Sequence, residues 1–540
     1  MKHKDLDFLL QKDTLRIFTD DIGSTPWVTV YESIKRESES GAIFSAIVPN
    51  SESRKVLKSP SWDIHIGDGL PGCSVRTIGK REAVHYHRYG GLSGIEPLVF
   101  VRNFHDVKPS YIEIAEEFRL FHNLYYDAQS KVFVRISDSG IEEDVIRVFE
   151  KSVRINLKAL RQFLAIKRAV VAIYFDIVRQ SPVPIGEVDP ASTTIKRRHT
   201  DICFDLNVGE WEFKEEFQSF SRLLGKRLLR GVPKKKSGVW PYDEDKQDYV
   251  KFIYNIGPDS EPIEFTSDPE ILSDHFRTNP GSPDYLTPIF FRREVLGKYF
   301  ANAEKYSVED GYLRCGALWG IQIDNDLANY VAVYLGDLGR DLPYEEQLYW
   351  RSFNVLPEGG ISEVNYRRSI LAEFAAPSRI DLRFKNEFRS FQEQWVRKYG
   401  WYLFSPLNED DAHLLSTLRL PLTNDQGEFD AQVLALTKVL IDSINERQLE
   451  KSLSVLKPDT KGITKLKLYL EAQGLNGFDA EIEFLRDLWD LRSTGSGHRK
   501  GSNYLKISRR FGIGQKPLMS VFDDILTEAT GLIEKLELVF

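Results

Sequence analysis

Hydrophobic and polar positions change their rhythm along the chain. WVTVYES and GAIFSAIV are short runs rich in β-branched and apolar residues, and both predict strands. Turn clusters such as PNSESRK and IGDGLPGCS punctuate the same region. SYIEIAEEFRLFHNLYY sets Ile114, Phe118 and Leu120 toward one side of a predicted amphipathic helix. KVFVRI reads as a strand, SDSGIEED as a turn and INLKALRQFLAIKRA as a second helix. AVVAIYFDIV follows as a buried strand. Alternation between the two periods predicts an α+β region.

The loop-like stretch SPVPIGEVDPAS marks a boundary, giving an α+β N-terminal domain over residues 1–185. An α+β middle domain is expected over 186–400. It contains RLLGKRLLRGVPKKK, with Arg222, Lys226, Arg227, Arg230 and Lys234 to Lys236 and no acidic residue between them. Such a run suits a phosphate backbone, but a solvated helix end followed by a charged loop is the preferred reading. Further on, aromatic residues are dense, and NYVAVYLGDLG reads as a strand leaving into a turn. Trp319, Tyr334, Tyr344, Trp350 and Arg351 are the candidate ligand-binding residues here, set against the preferred alternative of an ordinary domain core. EVNYRRSILAEFAA and DLRFKNEFRSFQEQWVRKY read as helices, the second being the last element before a terminal domain.

That terminal domain, over 408–540, is predicted to be all-helical. EFDAQVLALTKVLIDSINERQLEKSL places Val433, Leu436, Val439, Leu440 and Ile444 at helical spacing. TKGITKLKLYLEAQG is stopped by Gly474 and Gly477, GFDAEIEFLRDLWDLRSTG is a third helix and KPLMSVFDDILTEATGLIEKLELVF a fourth. The expected fold class is multidomain: α+β N-terminal and middle regions followed by an all-α helical-bundle C-terminal domain.

Composition narrows the functions. The 540 residues carry a formal charge of -8, so a globally basic nucleic-acid footprint is absent. Three well-separated cysteines, an early charged segment and no long apolar run predict a cytoplasmic protein with no membrane partner. Walker, Rossmann and nucleophile-elbow patterns are missing. Asp63 with His65, and His85 with His87, are two apart and would each share a strand face. Ordinary polar positions are the preferred reading, and no metal site is assigned. Asp324, Asp326, Asp337 and Asp341 match no calcium-loop spacing. No cofactor is expected.

The best chemical site lies in WDLRSTGSGHRKG. Five residues, Ser493 to Gly497, separate Arg492 from His498, and Gly495 and Gly497 favour a turn that brings the two together. Arg499, Lys500, Lys506, Arg509 and Arg510 follow without an acidic residue and are candidate RNA contacts. RNA supplies its own nucleophile, the 2′-hydroxyl. A histidine moves protons near neutrality, and a guanidinium offsets charge developing on phosphate. This scheme needs no metal, yields a 2′,3′-cyclic phosphate and spares DNA.

The segment resembles the HEPN domain family, found in many prokaryotic toxins and defence ribonucleases. Arg492 and His498 match the family's Arg, four to six residues, then His, at the end of a helix. The resemblance covers residues 410 to 540. It implies an RNA substrate, a homodimer through the C-terminal domain that forms a composite site, and an antiviral effector regulated by the preceding regions. The regulating trigger would be phage-derived or a nucleotide. The alternative is a non-catalytic homodimeric sensor or scaffold that binds a nucleotide, nucleic acid or protein. Ser493 favours it, standing where many active members carry Asn, Asp or His. A third reading centres an enzyme on residues 310 to 360.

Overall fold

In a computed structural model of the chain, the apolar run at 169 becomes a long strand, Ala169–Ser181, paired antiparallel with Glu39–Pro49 and Ser219–Arg230. One face carries Val171, Ile173 and Phe175 onto Leu160 and Phe163 of the helix Leu157–Lys167. The other sets Val170, Ala172 and Tyr174 against Ala46, Val48 and Val56. Burial on both faces explains why this segment lacks polar alternation. The helix starts where the Asn156 side chain accepts the N–H groups of Lys158 and Ala159, and ends at Arg168 in a left-handed conformation.

The structure describes residues 2–19, 22–59, 71–79, 81–87, 95–213, 215–242, 248–274, 276, 278–356, 359–453, 460–495 and 502–540, without the side chains of residues 2, 3, 78, 87, 495, 502 and 503. The chain is multidomain, α+β over its N-terminal and middle regions and largely helical over its last stretch. It divides into two units. Met1–Ser137 joins Ile141–Lys246, and Asp138–Gly140 joins Gln247–Phe540.

An 11-stranded sheet organises the first unit. Its order from one edge is Thr194–Arg198, Ile202–Glu210, Ser219–Arg230, Ala169–Ser181, Glu39–Pro49, Trp27–Lys35, Ser152–Asn156, Glu142–Val148, Val132–Ile136 and Tyr125–Asp127. Glu96–Pro97 pairs at the side of Glu39–Pro49. The sheet corrects the boundary expected near residue 185. Residues 194 to 230 are three of its strands, and the division falls after Lys246. The loop at 182–193 connects strands of one sheet, and its composition is that of any surface connection.

Two further expectations are corrected here. RLLGKRLLRG is a strand, not a helix end, and its cations are dispersed. Arg222 forks onto Asp176 at 3.0 and 2.7 Å, and Arg230 pairs with Asp201 at 2.7 Å. Lys226 is buried and donates to the carbonyl oxygens of Val56 and Ser59 at 3.0 and 2.8 Å, tying the short helix Ser53–Lys58 to the sheet. Gly225 is required inside this strand because a Cβ would lie 1.9 Å from the Phe175 ring. The predicted helix at 110 is instead the strand Lys108–Ile114 and the short helix Glu116–Phe121. Ile114 and Phe118 are buried, but Leu120 is 71% exposed.

His122 closes that short helix. It is buried between Phe118 and Phe121, and its Nε2 lies 2.9 Å from the Ala159 carbonyl, so this nitrogen carries the proton and donates. Burial pushes its pKa down to about 4, against the upward pull of that hydrogen bond. The folded value lies below the unfolded one. Stability is therefore complete above about pH 6.5 and is lost as the pH falls toward 4, by roughly 3 kcal/mol. Urea midpoints between pH 7 and 4 should fall less in His122→Gln than in the parent chain. An equal fall would remove His122 from the acid response.

The second unit contains two cores. The first gathers Phe252, Phe291, Tyr299, Leu313, Val331 and Trp350 around two three-stranded sheets. One sheet is Tyr330–Tyr334, Pro288–Arg292 and Asn354–Val355. The other is Tyr306–Glu309, Tyr312–Cys315 and Trp319–Gln322. The second core is helical, and it begins earlier than residue 408. Phe384, Phe388, Phe391 and Trp395 of the helix Ile380–Tyr399 bury in the same core as Gln426–Thr437, Gly462–Ala472, Asp479–Gly495 and Leu518–Val539. The helix Ser502–Phe511 is an addition, with Tyr504, Ile507 and Phe511 as its apolar stripe. Among the described residues no helix is long and apolar enough to cross a membrane.

Candidate functional site

The helix Asp479–Gly495 holds its place through Ile482, Leu485, Leu488 and Leu491, all buried. Arg492 follows in its last turn, partly exposed at the rim of this core. Its Nη1 donates to both oxygens of Asp442, at 2.9 and 2.7 Å. Asp442 ends the π-helical continuation Lys438–Asp442 of the neighbouring helix Gln426–Thr437. The pair fixes the guanidinium against the neighbouring helix. His498, Arg499 and Lys500 lie in residues 496–501, outside the described residues.

The basic residues beyond that segment separate into two groups. Lys506 and Arg509 are exposed, and three positions apart on Ser502–Phe511 they share one face. Arg510 does not join them. It reaches Asp487 at 3.2 Å and Glu528 at 2.8 Å, bracing its helix against two others. Its hydrogen bonds to Glu528 push its pKa further up. Arg510 is thereby an ion-paired brace, unlike the exposed Lys506 and Arg509. Lys516 pairs with Asp524.

The aromatic candidates do not converge on one ligand. Trp350 is fully buried and donates from Nε1 to the Tyr299 hydroxyl at 2.7 Å. Trp319 packs beside Tyr299 and Tyr306. Arg351 pairs with Glu264, and Tyr344 opens the helix Tyr344–Arg351 as a half-exposed residue. Tyr334 is different, because it lines a cavity of about 360 Å³.

Several stretches, with Pro288, build that cavity. The first is the turn Asp310–Tyr312; the second is the strand end and loop 322–326, with Ala332 to Tyr334 opposite; the third is the segment 361–374. Asp324 exchanges backbone hydrogen bonds with Ala332, which fixes the loop. Its carboxylate accepts the N–H and the hydroxyl of Ser362, both at 2.7 Å. Asp326 accepts the N–H groups of Ser378 and Arg379 at 2.9 Å and the Ser378 hydroxyl. Asp310 forks with Arg368 at 2.8 and 2.7 Å. Asp337 and Asp341, far from a cation loop, both pair with Arg340.

The metal expectation can be followed in part. His85 is exposed on the strand Arg81–His87, and Asp63 and His65 lie outside the described residues. Among the described residues no three metal-ligating side chains are grouped to hold an ion. Sequence reading missed Asp442, Arg368 and Ser362, whose partners lie 50, 58 and 38 residues away, and the exposed Phe374 at the cavity. No family model, no curated protein and no solved structure matches the chain.

Proposed function

We propose that the helical region is a HEPN-like, metal-independent endoribonuclease, a cytoplasmic antiviral effector governed by the regions before it. His498 moves the proton and Arg492 stabilises the phosphate. The observation that carries this reading is the Arg492–Asp442 pair, which presents an oriented guanidinium at the exit of a helix, directly before the His498 segment. Lys506 and Arg509 lend support as an exposed basic face just beyond it. A homodimer is supported by Trp489 and Leu505, 40% and 60% exposed on the two helices that flank the segment. Regulation is supported by Asp326, which lines the middle cavity and hydrogen-bonds the start of Ile380–Tyr399.

The test is RNA cleavage in EDTA by the full chain, His498→Ala and Arg492→Ala. Each variant is expected to lose about 100-fold or more in rate, with 2′,3′-cyclic phosphate ends from the parent and no cleavage of DNA. Equal rates in all three proteins would remove the site. The second reading, a non-catalytic homodimeric sensor, is favoured by the middle cavity. It gains if ligand binding there persists while RNA stays intact.

A further inference from the structure

The middle cavity has an uneven electrostatic wall. Three carboxylates and one guanidinium line it: Asp310, Asp324, Asp326 and Arg368. Three negative charges against one positive leave a net charge of -2. Arg368 is committed to Asp310 through both nitrogens. Asp324 is 3% exposed, and the donors that reach it from Ser362 are neutral. Neutral donors also satisfy Asp326. Among the described residues neither Asp324 nor Asp326 makes an ion pair. Asp324 is buried, each of its oxygens accepts one hydrogen bond and retains a second lone pair, and the nearest positive charge is that of Arg368, already paired with Asp310.

A second feature points to an absent partner. Tyr334 is 6% exposed and lines the same cavity. Among the described residues its hydroxyl, itself shielded from solvent, makes no hydrogen bond of ordinary geometry, although Ser369 lies close by. Burial raises its pKa, so it stays a neutral phenol able to accept or donate. Between these polar groups the lining is apolar, with Ile323, Ala332 and Val364. Phe374 also lines the cavity and is 90% exposed, an aromatic ring at the mouth.

We propose that this cavity binds a small organic cation, an amidinium or ammonium group carried on a flat apolar body. The cationic N–H groups take the remaining lone pairs of Asp324 as charge-assisted hydrogen bonds, beside the Tyr334 ring. The apolar body lies along Ile323, Ala332 and Val364, with Phe374 over it. A volume of about 360 Å³ suits one ring system with its substituent. Phosphates and carboxylates are repelled by the net negative wall. Binding of this kind is independent of whether the helical region cleaves RNA, so either can fail alone.

Benzamidine, benzamide and benzoate share one shape and differ in charge, and calorimetry of the full chain with each separates charge from shape. Benzamidine is expected to bind at least about tenfold more tightly than benzamide, with no binding of benzoate. Asp324→Asn should weaken benzamidine by about tenfold or more. Phe374→Ala should weaken it about threefold while the fold is kept, since that side chain is exposed. Should Asp324→Asn fail to fold, the charge series and Phe374→Ala still decide. Absence of benzamidine binding at about 10 mM overturns the site. So does benzamide or benzoate binding as tightly, or undiminished affinity in Phe374→Ala.

Discussion

Asp381→Ala is expected to destabilise the second unit by about 3–5 kcal/mol, a large part of an ordinary folding margin. Asp381 is buried at the start of Ile380–Tyr399. It accepts the Arg379 guanidinium through both oxygens, with Nε at 2.7 Å, and the Leu420 N–H at 3.0 Å. Lys385 and Arg293 face it as well, and Arg419 stands near, itself paired with Glu428 at 2.7 Å. Burial alone would raise the Asp381 carboxyl, but Arg379, Lys385 and Arg293 hold it well below the usual carboxylate range. The same burial pushes Lys385 down to about 8 and Arg293 to about 9. Without Asp381 these cations are buried and uncompensated.

The sign of the pH effect follows. Lys385 has a folded pKa of about 8, below the unfolded value of 10.5, so stability rises with pH between those limits. Removing Asp381 lowers the folded value further. In Asp381→Ala, recovery on raising the pH should therefore begin at a lower pH than in the parent. Denaturant midpoints from pH 6 to 10 measure this. An unchanged midpoint in Asp381→Ala would show the cluster to be solvated rather than buried.

Trp350→Ala carries the second large effect, about 3–5 kcal/mol. The ring is fully buried against Phe291, edge to face at 4.8 Å. Its Nε1 bonds Tyr299, which donates to Glu346 at 2.6 Å, and Lys298 closes the chain onto the same carboxylate at 2.7 and 2.6 Å. Trp350→Phe keeps most of the packing and removes one donor, so its cost should be about 1–2 kcal/mol. Unfolding of the three proteins distinguishes a core role from a ligand role. Normal stability in Trp350→Ala would overturn the core assignment.

Both effects turn on residues whose type was visible and whose surroundings were not. Trp350 stood out as one of several aromatics, but a ligand platform and a core anchor have the same composition. Asp381 drew no notice, since nothing in IDLRFKNEF announces that Arg293 and Arg419 will close around it. Arg510 looked like part of a basic strip because Asp487 and Glu528, its partners, lie 23 and 18 residues away.

The sequence by itself determined the elements whose pattern is local. Ala169–Ser181 follows from the apolar run that opens it, Ala169 to Phe175, and Leu157–Lys167, Asp479–Gly495 and Leu518–Val539 from helical periodicity. The α+β then helical order came with them, as did the position of Arg492 at a helix end. Tertiary structure alone decided that residues 194–230 complete the first sheet, that Ile380–Tyr399 belongs to the helical core, and that Asp324, Tyr334 and Phe374 share a cavity. The reason is one of range. Periodicity reflects dihedral angles set residue by residue, whereas a cavity wall, a buried ion pair or a strand neighbour depends on chain segments meeting across long loops.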